Sequence, residues 1–179
     1  MKRVFIMTIA LMFLFCIPLL SFAAGKPQPP SSGAFIPPAW SQKLPAAERF
    51  VLVLDDNGVL DKETGLVWEK SPSTGIYIWV NAISHCISDL NVGVRKGWHL
   101  PTVEQLASLV DTSGDSLKLP TGHPFTNVQS RGYWSATTYP SSTTVAWGVH
   151  FGDGYVDAYA EANYYYAWCV RGGQSHDAY

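Results

Sequence analysis

Residues that could bind a ligand concentrate around one predicted β-hairpin near the end of the chain. Gly152-Asp153-Gly154 predicts a tight turn, because both glycines can adopt positive φ angles. On the returning strand, Tyr155, Asp157 and Tyr159 share one face, since side chains alternate with period two. Tyrosine rings can stack on sugar faces, while carboxylates and amides hydrogen-bond to hydroxyl groups. The candidate ligand-binding residues are His150, Asp153, Tyr155, Asp157, Tyr159, Glu161, Asn163 and Tyr164.

Two alternatives to sugar binding stay open for this hairpin. Tyrosine also suits protein-binding surfaces, because it gives a large contact area at low entropic cost. A purely structural amphipathic strand alternates in the same way, since tyrosine favours strands. The hairpin is acidic through Asp153, Asp157 and Glu161, with no Lys or Arg after it before Arg171. This charge disfavours a sulfated ligand at the hairpin.

The other reactive side chains predict neither a catalytic site nor a metal site. Ser135 lacks the Gly-x-Ser-x-Gly elbow of a hydrolase nucleophile. Asp55-Asp56-Asn57-Gly58 begins like a calcium loop, but the later ligands are missing, so a turn is favoured over a bound cation. The histidines form no i, i+4 pair of the kind that binds metal; they are His85, His99, His123, His150 and His176. We therefore expect no enzyme, no cofactor and no bound metal.

The first residues predict a secretory signal peptide. Lys2 and Arg3 precede an apolar run over residues 4–20, which is followed by small residues. We expect cleavage after Ala23, so that residues 1–23 form the signal peptide. An uncleaved membrane anchor is the alternative, but the small residues and Pro18 favour a signal. The mature protein is then expected to be secreted or periplasmic, with the cell surface as a further option, and without a stable membrane anchor.

Composition indicates a small globular protein. The 179 residues, less the signal peptide, suffice for one domain of ordinary size but not for two. A formal net charge of −2 provides no concentrated basic face, so a nucleic-acid partner is not expected. Aromatic residues make up 13% of the chain and charged residues only 15%, which is typical of a folded chain and not of a disordered one.

Prolines mark the domain boundaries. Residues 24–48 are rich in Pro, Ser and Gly and predict an extended linker. Residues 49–173 form the predicted domain, and residues 174–179 form a tail. Docking of the linker on the domain is a minor alternative, because neighbouring prolines disfavour pairing in a sheet. The residues that could dock are Phe35, Ile36 and Trp40.

Cysteine positions favour one disulfide. Cys16 is removed with the signal peptide, which leaves Cys86 and Cys169 as a pair in an oxidising compartment. Two separate buried thiols are the alternative, but exported proteins rarely keep a pair reduced.

Two amphipathic helices are predicted. Residues 79–90 repeat apolar side chains at helical spacing, which places Cys86, Ile87 and Leu90 on the buried face. Thr102 can cap a second helix, since Gln105 follows three residues later as in a capping box. The buried stripe of this helix consists of Leu106, Leu109 and Val110. A long irregular region follows to about residue 132.

Strand patterns surround these helices on both sides. The first part of the domain predicts strands over residues 50–54 and 66–68, separated by turns. The last part predicts strands over 133–138, 144–151, 155–159 and 165–171, of which the final one closes the sheet. The predicted fold class is therefore α+β, with two helices on a mainly antiparallel sheet and a long irregular loop region.

Several short motifs occur in a fixed order along the domain. They are TGLVW (Thr64–Trp68), the helix with Cys86, GWHLPT (Gly97–Thr102), YWSAT (Tyr133–Thr137), AWGVHF (Ala146–Phe151) and CVRGG (Cys169–Gly173). In this order they resemble the Lcl C-terminal domain family over about residues 50–173. The resemblance implies a C-type-lectin-like fold, bacterial export and, in the adhesin that gives the family its name, attachment to sulfated polysaccharides. This chain has no collagen-like Gly-X-Y tract, so the stalk of that adhesin is not expected.

The wider C-type-lectin-like superfamily suggests two functions that these residues do not support. Calcium-dependent sugar sites carry Glu-Pro-Asn or Gln-Pro-Asp together with Trp-Asn-Asp, whereas here Trp147 is followed by Gly148 and Val149. Formylglycine-generating enzymes use paired reactive cysteines, whereas Cys86 and Cys169 are here assigned to a disulfide.

The expected function is therefore non-catalytic binding by an exported domain. The expected ligand is a glycan or surface polymer, bound in an adhesin-like way. The alternative is a protein–protein interaction module of a cell-surface or periplasmic assembly, using the same aromatic face.

Overall fold

The computed structural model describes residues 44–89, 92–114 and 116–172. The predicted signal peptide, most of the predicted linker and the predicted tail lie outside these residues. Among the described residues, no helix has the length and apolar character needed to cross a bilayer.

The described chain folds as an α+β domain with more sheet than helix. Its helices are α1 (Ala46–Arg49), α2 (Trp79–Ser84) and α3 (Val103–Ala107), and a π-helical turn (His85–Asp89) extends α2. Its strands are β1 (Phe50–Val53), β2 (Gly58–Asp61), β3 (Leu66–Glu69), β4 (Ile76–Tyr77), β5 (Gly132–Thr138), β6 (Val145–His150), β7 (Tyr155–Ala160), β8 (Tyr165–Tyr166) and β9 (Val170–Gly172).

These strands form two sheets in the described residues. The first sheet is antiparallel in the order β1-β2-β3-β9, so the last strand pairs with one from the start of the domain. The second sheet has the order β4-β8-β5-β6-β7 and is antiparallel except where β5 meets β8, at Tyr133 and Tyr166. The β6–β7 hairpin pairs as the sequence predicts, with His150 opposite Tyr155.

The prediction of one closing strand over residues 165–171 is wrong. The chain forms β8 in the second sheet and β9 in the first, and residues 167–169 cross between the sheets. Trp168 packs in one apolar core and Cys169 in the other, and both are fully buried. A run buried on both sides shows no period of two, so the sequence pattern does not reveal the crossing.

Helix α2 begins as predicted at Trp79 but is regular only to Ser84. Cys86 is buried, as predicted, whereas Ile87 is 60% exposed, so its predicted burial is wrong. The π-helical turn over residues 85–89 explains the difference, because its i to i+5 bonding shifts the phase of the side chains. The predicted Leu90 lies outside the described residues.

Helix α3 carries the predicted capping box. The Thr102 hydroxyl accepts a hydrogen bond from Gln105 N (3.2 Å), and Gln105 Oε1 accepts one from Thr102 N (2.9 Å). The helix ends at Ala107, earlier than the apolar pattern suggests. Even so, the predicted stripe of Leu106, Leu109 and Val110 is buried.

The irregular region before β5 is fastened to the domain by its own contacts. Lys118 N donates to Phe151 O (2.7 Å), and Thr126 N donates to Lys70 O (2.8 Å). Phe125 is buried in the larger core, with its ring edge-on to Trp168 at a centroid distance of 4.9 Å. The region is therefore part of the packed structure.

Opposite faces of the second sheet bury two separate cores. Alternation sends Tyr133 into the larger core and Trp134 into the smaller one, although they are adjacent in sequence. The smaller core also contains Cys86 and Cys169, which form the predicted disulfide, with their Cα atoms 5.4 Å apart. This bond ties the π-helical turn to the residue just before β9.

A buried ion pair holds the start of the domain. Arg49 donates to both carboxylate oxygens of Asp61, at 2.8 and 2.7 Å, and to Ser108 O at 3.0 Å. Both side chains of the pair are 0% exposed. Arg49 is the last residue of α1, whose first residues belong to the predicted linker, and Ala46 in that helix is buried.

A buried carboxyl group lies beside the disulfide. Glu69 at the end of β3 is 3% exposed, and its Oε2 accepts a hydrogen bond from Cys169 N at 2.8 Å. Burial raises the pKa of Glu69 to about 7, although the hydrogen bond acts in the opposite direction. The folded protein therefore keeps a proton on Glu69 at a pH where the unfolded chain has lost it.

Stability is therefore expected to fall as the pH rises from 4.5 towards about 7. In this window the folded state binds the Glu69 proton and the unfolded chain does not, which weakens folding by about 3 kcal/mol at the upper end. Glu69→Gln, which keeps an acceptor for Cys169 N, should remove this slope. Urea unfolding at several pH values measures it.

Comparing wild type with Glu69→Gln also separates the effect of Glu69 on stability from that of His123. Burial lowers the pKa of His123 from its ordinary 6.5, so His123 favours folding at higher pH, in the opposite sense. His123 is the same in both proteins, and the difference between their profiles isolates Glu69. Parallel pH profiles of wild type and Glu69→Gln would contradict this assignment.

Candidate binding cleft

A cleft of about 400 Å³ opens on the second sheet, on the face that points away from the larger core. It is called the tyrosine cleft here, because four of its eight lining residues are tyrosines. Its lining residues are Ile76, Arg131, Gly132, His150, Tyr159, Tyr164, Tyr165 and Tyr166.

Two glycines allow tyrosine rings to lie against this sheet. A β-carbon at Gly132 would lie 2.7 Å from the Tyr165 ring. One at Gly148 would lie 3.0 Å from the Tyr159 ring and 2.6 Å from the Tyr133 carbonyl oxygen. Real β-carbons do not approach so closely, so any larger residue at either position would displace a ring or the backbone.

The two rings form a paired aromatic surface. The ring centroids of Tyr159 and Tyr165 are 4.3 Å apart, with a tilt of 38°. Trp134 meets both rings edge-on, at 5.1 Å from Tyr165 and 6.0 Å from Tyr159. The Trp134 indole is itself held by a hydrogen bond to Tyr77 O at 2.8 Å. The aromatic surface is therefore supported from below by packed side chains.

Carboxylates border the cleft on the β6–β7 side. His150 Nδ1 lies 3.1 Å from Asp153 Oδ1, and the two side chains are 29% and 47% exposed. Asp153 also accepts a hydrogen bond from Tyr155 N (3.0 Å), which fixes the turn. Burial raises the pKa of Tyr159, and the charges of Asp157, Tyr165 and Asp153 raise it further. The Tyr159 hydroxyl therefore stays protonated at any ordinary pH and can donate a hydrogen bond.

A basic residue reaches the cleft from an unexpected direction. The sequence places no Lys or Arg beside the hairpin, but Arg131 lines the cleft from the residue before β5. Among the described residues, its guanidinium has no hydrogen-bond or ion-pair partner. Arg171 lies elsewhere, where its Nε donates to Lys96 O at 2.9 Å. The cleft therefore places one basic side chain beside the acidic hairpin, because β5 pairing with β6 brings Arg131 near His150.

Three of the eight predicted site residues line the cleft, namely His150, Tyr159 and Tyr164. On the cleft face of the hairpin the register aligns His150 with Tyr155 and places Asp157 and Tyr159 further along β7. Tyr164 lies at the rim and is 63% exposed. The predicted Tyr155 is 45% exposed but does not line the cleft itself.

Two predicted residues lie apart from the cleft. Glu161 follows the far end of β7, where its carbonyl accepts a hydrogen bond from Trp79 N at 3.0 Å, and it lines a separate depression with Val80. Asn163 is exposed in the next turn.

Sequence reasoning missed five cleft residues. Ile76, Arg131 and Gly132 lie in or next to β4 and β5, far from the hairpin in sequence, whereas Tyr165 and Tyr166 form β8 shortly after it. The run of three tyrosines at residues 164–166 was the one sequence feature that could have pointed to Tyr165 and Tyr166. The pairing of β8 with β4 and β5 decides which sheet these tyrosines join and which face they lie on.

A second, larger depression of about 580 Å³ lies near the β1–β2 turn. Its lining includes Asp55, Asp56 and Lys70 but no aromatic side chain. The turn is formed as predicted, with Leu54, Asp55 and Asp56 all at positive φ and Asn57 Nδ2 donating to Leu54 O. Within the described ranges, no group of three or more His, Cys, Asp or Glu side chains could hold a metal ion.

Fold and cleft together define a disulfide-linked α+β domain with an aromatic cleft on its second sheet. The model of one family, the Lcl C-terminal domain, matches residues 57–171. The chain belongs to this family, which confirms the resemblance found in the sequence motifs. Among curated proteins, none matches the chain.

Proposed function

We propose that this domain is an exported, non-catalytic binding module whose tyrosine cleft holds part of a glycan or surface polymer. The observation that carries the proposal is the paired surface of Tyr159 and Tyr165, with ring centroids 4.3 Å apart. Such a surface matches the apolar face of a sugar ring, and polar groups beside it can bind hydroxyl groups.

The volume and the polar groups of the tyrosine cleft fit a short oligosaccharide segment. About 400 Å³ is near the lower end of the range for small-ligand sites, roughly 300–1,000 Å³. Asp153 and Asp157 can accept hydrogen bonds from hydroxyl groups on one side, and Arg131 can donate them on the other. We infer one or two sugar units of a longer chain, with the remainder lying outside the cleft.

The fold and location belong to the same proposal. We propose a C-type-lectin-like fold, supported by family membership and by a disulfide that joins the π-helical turn after α2 to the crossing residues 167–169. Export to the periplasm or cell exterior is supported by the predicted signal peptide, and the disulfide is compatible with it.

A protein ligand is the second candidate function, and exposed apolar side chains favour it. Ile76 at the cleft rim is 53% exposed, and Val80 beside the neighbouring depression is 55% exposed. Exposed apolar groups near a cleft are common in protein-binding sites. A partner protein of a surface assembly would contact both.

Binding is tested first with an array of glycans and polysaccharides, using exported, disulfide-bonded protein. For a glycan that binds, Tyr159→Ala should weaken binding about tenfold, because it removes one stacked ring worth about 1.4 kcal/mol. Tyr159→Phe keeps the ring and should stay within about threefold of wild type. Titration calorimetry measures both.

Two controls make the result interpretable. Ile87→Ala changes an exposed apolar residue outside the cleft and should leave affinity unchanged. Thermal unfolding of each variant shows whether the domain is intact. Selective glycan binding that survives Tyr159→Ala in folded protein would contradict the proposed site, and a blank array would favour the protein ligand.

A further inference from the structure

One wall of the tyrosine cleft depends on β4, a strand of only two residues at the end of the second sheet. Tyr77 in β4 pairs with Tyr165 in β8, so β4 borders the strand that carries one ring of the aromatic pair. The Tyr77 carbonyl also accepts the hydrogen bond from the Trp134 indole, which supports the rings of Tyr165 and Tyr159. Tyr77 is therefore linked to both supports of the paired surface.

The side chain of Tyr77 is itself held at two points. Its ring stacks on the His85 ring, with centroids 4.7 Å apart and an angle of 19° between the planes. Its hydroxyl lies 2.9 Å from Ser73 Oγ, at hydrogen-bond distance. A strand as short as β4 has few ladder hydrogen bonds of its own. The contacts of the Tyr77 side chain therefore supply much of the attachment of β4 to the domain.

The His85 ring is presented to Tyr77 by a turn that the disulfide anchors. His85 begins the π-helical turn, and the next residue, Cys86, is bonded to Cys169. Single π-helical turns occur frequently at functional sites. Here adjacent residues of the turn reach the disulfide and the β4 side chain. A continuous set of contacts therefore runs from the disulfide to the support of the tyrosine cleft.

We propose that His85 and Tyr77 are positioning residues of the tyrosine cleft. The π-helical turn holds β4 through the stacked rings, and β4 in turn sets how Tyr159 and Tyr165 lie against each other. Neither His85 nor Tyr77 lines the cleft, so substituting either one removes no lining side chain. The consequence for glycan binding rests on the proposed function, whereas the effect on the two cleft rings can be measured without any ligand.

NMR on the exported, disulfide-bonded protein tests the positioning role without ligand. The NOE between ring protons of Tyr159 and Tyr165, whose centroids are 4.3 Å apart, reports their pairing. In His85→Ala we expect this NOE to fall below half its wild-type value, because one aromatic stack shifts an equilibrium by about fivefold. The edge-on rings of Tyr133 and Phe151, 5.4 Å apart in the larger core, are the reference and should keep their NOE.

Matched variants separate positioning from a general loss of stability. His85→Phe keeps a ring that can stack and should retain at least about four-fifths of the NOE between the cleft rings. Ile87→Ala alters the same π-helical turn at an exposed side chain and should leave that NOE unchanged. His85→Leu, which fills the space without a ring, repeats the test if His85→Ala does not fold. An unchanged cleft NOE in the folded Ala or Leu variant, or an equal loss at Tyr133 and Phe151, would overturn the proposal.

Binding of a glycan selected from the array then tests the consequence for the ligand. Affinity follows the fraction of molecules that keep the rings paired, so it should fall about two- to fivefold in His85→Ala and recover in His85→Phe. Unchanged affinity despite a lost NOE would overturn the role of His85 in binding. A blank array would count against the proposed function alone, since the NOE measurement decides the positioning role without a ligand.

Discussion

Replacing Cys86 and Cys169 together by alanine is expected to lower the free energy of unfolding by about 4–5 kcal/mol. The bond spans 83 positions, so its loss releases a long loop in the unfolded chain. It also frees the π-helical turn and the crossing residues 167–169 from each other. Since small domains are stable by only about 5–15 kcal/mol, the variant should be near its unfolding limit at physiological temperature.

Urea unfolding of oxidised wild type, reduced wild type and the double variant measures this effect. The reduced protein and the variant should agree within about 1 kcal/mol, because both lack the same link. Ile87→Ala, next to the disulfide but exposed, is the control and should change stability by about 0.5 kcal/mol at most. A double variant as stable as oxidised wild type would contradict the structural role of the bond.

Arg49→Leu is expected to destabilise the domain by about 3–5 kcal/mol, because it leaves the Asp61 carboxylate buried without its partner. Arg49 makes two hydrogen bonds to that carboxylate and one to Ser108 O. Both side chains are shielded from bulk solvent, since both are 0% exposed. The uncompensated charge, and not the lost packing alone, is therefore the main cause of the loss.

The double variant Arg49→Leu, Asp61→Leu separates these causes. If the stranded Asp61 charge dominates, the double variant should be more stable than Arg49→Leu alone, because it also removes that carboxylate and leaves only Glu63, 3.6 Å from Arg49 Nε in the wild type. Lys62→Ala changes a neighbouring exposed charge and should shift stability by no more than about 0.5 kcal/mol. A loss below about 1 kcal/mol for Arg49→Leu in urea unfolding would contradict the account of the pair.

Local rules predicted much of this fold correctly. The capping box at Thr102 and Gln105 forms as expected, because a cap depends on residues only three positions apart. The hairpin around Asp153 also forms, since its glycines and alternating strands act at short range. The disulfide was predicted by counting, because Cys86 and Cys169 are the two cysteines outside the predicted signal peptide.

The sequence alone did not predict which residues reach the cleft through pairing between distant strands. Arg131 enters the cleft because β5 pairs with β6 across an irregular segment, and no spacing along the chain encodes that approach. Tyr165 joins it because β8 pairs with β4 and runs parallel to β5. The hairpin pattern therefore located one wall of the tyrosine cleft, and the opposite wall required the tertiary structure.

The most direct test of the central claim is NMR shift mapping with a glycan selected from the array. The account predicts that the largest amide shifts fall on Gly132, Gly148 and Tyr159, at the floor and wall of the tyrosine cleft. The depression around Asp55 and Asp56, which is larger but lacks aromatic rings, should stay unchanged. Shifts centred on that depression, with the cleft unaffected, would contradict the assignment of the tyrosine cleft as the binding site.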